Sequence, residues 1–553
     1  MCGIFSLLNY STNKLNYNTI IAEFFKGIAR GPEKSTINHD DTLNIVKGFH
    51  RLAINGLNEE SDQPINVATS LVTSLVTSLD NYSLICNGEI YNYRQLYRLM
   101  GISPTTDSDC EVIIHLYIRY GIQQTLRMLD GVFAFVLFCP NNIYVARDPY
   151  GVRPLYYTEG SKLLGFTSEL KTLCNISNFL GQKVLQFAPG TFMTIDKTID
   201  FEQVSWLIKG QDRYFIPSFS STYVASAKKD VYQTYLEGIN YHLRCAVEKR
   251  YTTTERPIAC LLSGGLDSSL IAALVCDIHN KSNKPNKIET YSIGLPDSED
   301  IKFARKVADY IGSNHTEFIV SERDMLDIIP EVVKAIESYD TTTVRASIGN
   351  YLIGKYIRAH SDAKVIFNGD GSDELAGGYL YMNSCPDSVE YDKETIRLLN
   401  DIHLFDVLRS DKSISSHGLE PRTPFLDKAF VNYYLSIPME IRNHNISIHI
   451  EKYLIRQAFE LDKLLPEEIL WRKKEAFSDG VSNKGKSLFQ IIQEYTDKII
   501  TDPSLNLKQK EKKFYKNIFE EEYPLHLDIV PYYWMPRYIL SDDPSARTLA
   551  NYK

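Results

Sequence analysis

Cys260–Leu274 read CLLSGGLDSSLIAAL: an apolar run, a glycine turn flanked by hydroxyls, then an apolar helical stretch. The apolar run reaches back to Pro257 and predicts a strand, PIACLL (Pro257–Leu262). Gly264 and Gly265 let the backbone come close to an anion. Ser263, Ser268 and Ser269 add hydroxyl donors, and the helix start favours negative charge. The spacing is not GxxxxGKS/T, so this is not a Walker loop. A helical stretch (Tyr232–Lys249) precedes the turn, and downstream the chain alternates. Glu289–Ile293 reads as a strand, Phe303–Ile311 as a helix, and Lys364–Phe367 as a strand after a further helix. Strands alternating with helices predict a parallel α/β sheet, followed by a mainly helical last third.

The 553 residues include 60 basic and 69 acidic ones, a formal net charge of −9. That balance argues against nucleic acid or an anionic membrane as the main partner, since both need a basic footprint. No apolar run approaches the ~20 residues of a membrane span. The nine cysteines are dispersed and include no CxxC pair, which excludes a disulfide scaffold or zinc ribbon and suits a reducing, cytoplasmic location. The start, MCGIFSLL, has no basic stretch ahead of its apolar one and reads as a buried strand rather than a secretory signal. To about residue 200 short β-type runs dominate, among them Leu43–Phe49, Ser83–Cys86, Val132–Phe138, Ile143–Ala146 and Thr191–Ile195. Helical patterns fall at Ile90–Met100 and Asp109–Tyr120. Within this region VATSLVTSLVTSLD (Val67–Asp80) is a tandem repeat, expected as a surface insertion or an extended hairpin. Hydrophobic periodicity fades after Phe201. The expected organisation is therefore a domain over 2–200, a linker over 201–230, a second domain over 231–541 and a tail over 542–553. The charge run Lys508–Lys516 reads as a solvated helix face.

Once Met1 is removed, Cys2 carries both a thiol and a free α-amine. With a pKa of roughly 7.7–8.0 that amine can take the thiol proton, giving an activated nucleophile within one residue. CNGEIYN (Cys86–Asn92) ends a strand in a tight polar turn, where the Asn87 amide and the Gly88 N–H can form an oxyanion hole. Arg51, in HRLAIN (His50–Asn55), can clamp a carboxylate bidentately, and Asp109, in DSDCE (Asp107–Glu111), can take an ammonium. Together these groups describe hydrolysis of an amino-acid side-chain amide. MCGIF, RGPE (Arg30–Glu33), RLAIN, NGEIYN, SDCEV, GVFAF (Gly131–Phe135) and ARDPYGVRPLYY (Ala146–Tyr157) resemble class II glutamine amidotransferase domains. The resemblance implies an αββα sandwich of the N-terminal-nucleophile hydrolase type. It also implies Cys2 as nucleophile, Asn87 and Gly88 as oxyanion hole, and Arg51, Ile54, Asn87, Gly88, Glu89 and Asp109 as glutamine ligands. Where that family usually has HRGPD, this chain has Ala29 and Glu33, positions peripheral to the thiol chemistry.

SGGLDSS resembles the loop of ATP pyrophosphatases, which cleave ATP between the α and β phosphates, so an ATP-pyrophosphatase domain with ATP as substrate and Mg²⁺ is implied. FNGDGSDELAGGY (Phe367–Tyr379) is a second turn after a strand and supports this. Asp267 and Asp373 are the expected Mg²⁺ ligands, Asp370 is suited to general-base work, and Lys452 is a candidate phosphate cation. ESYDTTTVRAS (Glu337–Ser347), GLEPRTPFLD (Gly418–Asp427), WRKKEAFSDGV (Trp471–Val481), FYKNIFEEEYP (Phe514–Pro524) and DDPSARTLANYK (Asp542–Lys553) extend the likeness. The whole chain resembles the glutamine-hydrolysing asparagine synthetases. That resemblance implies adenylation of the aspartate side-chain carboxylate to β-aspartyl-AMP with release of pyrophosphate. Ammonia from glutamine then displaces AMP to give asparagine. It implies ATP contacts at Leu261, Ser263, Gly264, Gly265, Asp267, Ser268, Ile293, Asn368 and Gly369, with Asp370 and Lys452 catalytic. A homodimer is the family-level expectation, and Arg345 is a candidate for the aspartate pocket. One departure stands out: many members carry SGEG where this chain has NGDG (Asn368–Gly371), one methylene shorter at Asp370. A β-lactam-synthetase-like cyclase would need no glutaminase set. A tRNA-modifying pyrophosphatase would need a basic face, and a non-catalytic relative would be expected to lose central groups. The residues present disfavour all three.

Overall fold

GVFAFVLF (Gly131–Phe138) has no polar residue to turn toward water, so both faces of such a strand must be covered. In the computed structural model they are. It describes residues 1–553 apart from 14, 74–75, 161–162, 202, 217–228, 446–448, 475–485 and 549–553. Phe133, Phe135 and Leu137 share a core with Ile113, Leu116 and Leu126 of the helix Val112–Met128. Ala134, Val136 and Phe138 face the other way, into a core with Ile4, Leu8, Ile45 and Phe49.

The chain divides into two units. The first comprises Met1–Ile216 with Tyr523–Ile529 from near the other end of the chain. Its strands are β1 (Gly3–Leu8), β2 (Lys34–Asp40), β3 (Ile45–Arg51), β4 (Ile65–Thr73), β5 (Val76–Ile90), β6 (Gly131–Phe138), β7 (Asn142–Arg147), β8 (Tyr156–Glu159), β9 (Leu164–Thr167), β10 (Lys183–Gln186), β11 (Thr191–Asp200) and β12 (Gln203–Arg213). They form two antiparallel six-stranded sheets, β10-β8-β9-β1-β3-β2 and β12-β11-β7-β6-β5-β4. The sheets share one core, and helices pack on the outer faces: Val112–Met128 on the second sheet, and Tyr17–Phe25 on the first through Phe24 against Phe5. This is the expected αββα sandwich. The tandem repeat falls in the β4–β5 hairpin, paired from Ile65↔Leu84 to Thr73↔Val76, while its residues 74–75 lie outside the described ones.

One expectation is corrected. The linker assigned from 201 contains β12, paired along its length with β11 from Asp200↔Gln203 to Thr191↔Arg213. An edge strand with little burial carries almost no alternating hydrophobic signal, which is why periodicity faded there. Only its Trp206 is buried, with backbone and side chain hydrogen-bonded to Asn9 and Leu43. Beyond β12, residues 217–228 of the expected linker lie outside the described ones, and 229–230 open the helix Lys229–Thr252.

The second unit holds a five-stranded, wholly parallel sheet of β13 (Ile258–Leu261), β14 (Glu289–Gly294), β15 (Asn314–Ile319), β16 (Val365–Phe367) and β17 (Glu420–Arg422). Their order is β15-β14-β13-β16-β17, so the winding direction reverses beside β13. In such sheets ligands bind beyond the carboxyl ends of the strands at the reversal. The two segments found there are the turns that follow β13 and β16, the SGGLDSS and NGDG turns of the sequence. Beyond the sheet the unit is mainly helical.

Candidate active sites

In the first unit Cys2 precedes β1 directly and is partly exposed. Its Sγ lies 3.6 Å from the Leu52 carbonyl oxygen, and its own carbonyl accepts from Arg30 Nε at 3.0 Å. Arg30 is buried and ion-paired to Glu169 at 2.9 Å, so the thiol-bearing residue hangs from a fixed guanidinium. Asn87 and Gly88 lie near the end of β5, the strand of the second sheet against which β1 and β3 pack. Asn87 Nδ2 is 3.4 Å from Ser168 Oγ, which also accepts the Ile4 N–H at 3.1 Å. Its Oδ1 is buried with no hydrogen-bond partner among the described residues. A Cβ on Gly88 would stand 2.4 Å from the Val132 carbonyl oxygen, so no other residue fits there without displacing β6.

The remaining expected glutamine ligands are linked to this point. Arg51 ends β3 one residue before Leu52, and its guanidinium binds the Asn58 carbonyl at 3.0 Å as well as the Gly56 carbonyl and Asp62. Ile54 is buried, and Asn55 Nδ2 donates to Glu89 at 2.6 Å. Asp109 accepts the Ile90 N–H at 2.6 Å, which ties the DSDCE turn to the end of β5. Glu33, the departure from the family pattern, accepts the Ala53 N–H at 2.8 Å and so braces the segment carrying Leu52 and Ile54. Sequence reading missed Ser168 and Asn55. Neither lies beside the residue it serves in the chain; Ser168 falls in no quoted motif, and Asn55 closes the HRLAIN motif without a role assigned to it.

In the second unit a cavity opens at the sheet reversal. Of the expected ATP contacts, Leu261, Ser263, Gly265, Asp267, Ser268, Ile293, Asn368 and Gly369 line it, together with Asp370, Asp373 and Lys452. Gly264 is the exception. It adopts φ +74°, and a Cβ there would stand 2.5 Å from Ala304 N, so it serves close packing on the helix Glu299–Ile311. Its carbonyl accepts from Arg472 Nη1 at 3.0 Å, and Arg472 stacks over Phe303 at 3.9 Å. Ser263 Oγ and Ser268 Oγ are 2.9 Å apart across the turn, at the start of the 16-residue helix Leu266–Lys281. A Cβ on Gly369 would stand 2.7 Å from the Ser268 N, so the two turns interlock.

Lys452 joins them. Its Nζ is 2.5 Å from Asp267 Oδ2 and also contacts Asp373, while Asp267 Oδ1 accepts from Ser372 Oγ at 2.8 Å. Lys452 sits in the left-handed region (φ +59°) at the start of the helix Tyr453–Glu460, a strained backbone for a residue other than glycine. Burial works to lower its pKa, and Asp267 and Asp373 outweigh burial and raise it. Burial likewise works to raise Asp373, but Lys452 and Lys474 hold it well below the usual carboxylate range. Lys474, within the quoted WRKKEAFSDGV, received no role from the sequence; residues 475–481 of that motif lie outside the described ones. Asp370 Oδ1 accepts from Arg409 Nη2 at 3.1 Å, and its Oδ2 is buried without a partner among the described residues. Burial lifts Asp406, the ion partner of Arg409, to about 6; Arg409 opposes the rise, while Asp370 and Asp373 add to it.

Arg345 is corrected. It is 4% exposed and locked to Glu511 (2.7 and 2.6 Å) and Asp543 (2.8 and 3.0 Å), and it does not line the cavity. An arginine that already satisfies two buried carboxylates ties the C-terminal segment to the core and leaves none of that charge for a substrate.

Among the described residues no three His, Cys, Asp or Glu side chains gather as a metal cluster, and no helix is long and apolar enough to cross a membrane.

The Asparagine synthase family matches residues 238–391 and 383–539, and the Glutamine amidotransferase domain matches residues 1–212. An asparagine synthetase [glutamine-hydrolyzing] from Gallus gallus is 42% identical over 575 residues, covering 100% of this chain and 99% of its own length. Enzymes with the same description from Bos taurus and Homo sapiens are each 40% identical, again covering 100% of this chain and 99% of their own.

Proposed function

The chain belongs to the glutamine-hydrolysing asparagine synthetase family, and from that premise we propose that it converts L-aspartate to L-asparagine in two coupled sites, the first unit acting as glutaminase and the second as synthetase. In the glutaminase the Cys2 thiol, deprotonated by its own α-amine once Met1 is removed, attacks the glutamine side-chain amide. Asn87 Nδ2 and the Gly88 N–H stabilise the tetrahedral oxyanion. Arg51, Ile54, Glu89 and Asp109 hold the amino-acid end of the substrate, and ammonia leaves before water releases glutamate. In the synthetase the β-carboxylate of aspartate attacks the α-phosphate of ATP, and pyrophosphate departs. Ser263, Gly265 and Ser268 receive the phosphates, Leu261, Ile293, Asn368 and Gly369 contact the adenosine side, and Lys452 offsets the developing charge. Ammonia then attacks the β-carbonyl carbon of β-aspartyl-AMP. The C–O bond to AMP breaks, AMP departs, and Asp370 Oδ2 takes the proton lost by the nitrogen.

Asp267 and Asp373 are hard oxygen donors that already converge on one cation, the Lys452 ammonium, so they suit Mg²⁺, with phosphate oxygens and water completing its coordination. Bound there, the ion would neutralise the pyrophosphate charge. A cytoplasmic location and a homodimer are part of the same proposal, by likeness to the family alone.

The observation that carries the reading is the convergence of Asp267, Asp373 and Lys452 between two interlocked glycine turns at the sheet reversal. Replacement of Cys2 by alanine tests the two-site form of it. Glutamine-dependent synthesis is expected to vanish while synthesis from ammonium salts persists. Loss of both activities in a folded Cys2→Ala protein contradicts the proposal.

A further inference from the structure

Asp370 carries its carboxylate on a single methylene, so the place of its acceptor oxygen is set by how the carboxylate is turned. Terminal sp³–sp² torsions are broad and nearly two-fold, and an aspartate with neither oxygen anchored presents either one. Here one oxygen is anchored. Arg409 Nη2 donates to Asp370 Oδ1 at 3.1 Å, whereas Oδ2 stays buried and unpartnered among the described residues, in a residue that lines the cavity. Arg409 is itself fixed. It pairs with Asp406, three residues earlier on the helix Asp406–Ser415, and Asp406 Oδ2 accepts the Gly371 N–H at 3.3 Å. Gly371 has φ +88°, and a Cβ there would stand 2.5 Å from Leu426 Cγ, so the backbone beside Asp370 is constrained as well. One ion pair therefore holds both the side chain and the turn that bears it.

We infer that Arg409, braced by Asp406, is a positioning residue for the amination step: it holds one oxygen of Asp370 so that the other receives the proton from the attacking nitrogen. This rests on the reading of Asp370 as the proton acceptor. Arg409 touches no reacting atom in this scheme, so its removal is felt in the second half-reaction and spares the first. An ion pair that merely joined the helix to the turn would affect both halves alike.

The test uses the full chain with ATP, Mg²⁺ and aspartate, and measures two rates. Aspartate-dependent exchange of labelled pyrophosphate into ATP reports adenylation, and asparagine formation from ammonium chloride reports amination. Arg409→Gln is expected to lower the amination kcat by about 10- to 100-fold, the cost of misplacing a reacting group by around an ångström. Exchange and the KM values for ATP and aspartate should stay close to those of the unaltered protein, and Arg409→Lys should recover part of the loss. An equal fall in both rates, or an undiminished amination rate, overturns the inference. If Arg409→Gln fails to fold, the same split read on Arg409→Lys decides it. Asp370→Asn is measured in parallel. Should it retain amination, the reading of Asp370 falls; should it lose amination while Arg409→Gln keeps it, only the role of Arg409 falls.

Discussion

Glu111 shows how one buried residue holds the DSDCE turn in place. Its carboxylate accepts the backbone N–H and hydroxyl groups of both Thr105 and Thr106, at 2.6–2.8 Å, and pairs with His115 at 2.8 Å. Burial alone would raise its pKa, but the bonds from His115, Thr106 and Thr105 prevail and bring it to about 2. A folded-state value below the unfolded one stabilises the protein above the unfolded pKa, and that stability is lost as pH falls toward the folded value. Glu111→Gln should therefore cost the first unit about 2 kcal/mol at pH 7, a figure discounted for partial solvent screening. The difference between the two proteins should shrink as pH falls from 4.5 toward 2. Urea unfolding followed by hydrogen exchange of the β5 and β6 amides measures it, and a pH-independent difference would refute the electrostatic account. At this scale the legible residues were those in glycine-flanked turns after apolar strands: Asp267, Asp370 and Asp373. Arg409 was not legible, because it meets Asp370 from 39 positions away, inside an ordinary helical stretch.

Elements place these residues through spaces too small for alternatives. Gly88 lies in β5 opposite Phe133 of β6, and its N–H is the proposed oxyanion donor. Gly88→Ala forces a Cβ to within 2.4 Å of the Val132 carbonyl oxygen and 2.7 Å of Phe133 Cα. The backbone must shift, and glutamine-dependent synthesis should fall by about 100-fold or more, the usual loss when an oxyanion donor is displaced. Ammonium-dependent synthesis, which needs only the second unit, should persist. Equal activity with glutamine would remove Gly88 from the oxyanion hole. Sequence reading located β6, β7 and β13 to within a residue because their apolar runs are buried on both sides. It missed β12, whose partners are backbone atoms and whose side chains mostly face water. Backbone pairing leaves no mark in side-chain periodicity, and that limit explains the misplaced linker.

For the whole molecule, a net charge of −9 tells against polyanionic partners and tells nothing about where phosphate is handled. The relevant cations are local: Lys452 and Lys474 meet the two aspartates, and Arg472 clamps the glycine turn. Eight of the nine cysteines remain ordinary side chains in this account, and Cys2 is the reagent. The return of Tyr523–Ile529 to the first unit, where Lys183 pairs with Asp528 at 2.8 Å, could not be read from sequence. Surface pairings between distant segments carry no motif. The central claim is that nitrogen freed from glutamine by Cys2 becomes the amide of asparagine at the expense of ATP. Product analysis by mass spectrometry with ATP, Mg²⁺, aspartate and amide-labelled glutamine tests it most directly. The account predicts labelled asparagine together with glutamate, AMP and pyrophosphate. Glutamate without labelled asparagine, or asparagine carrying no label, would contradict it.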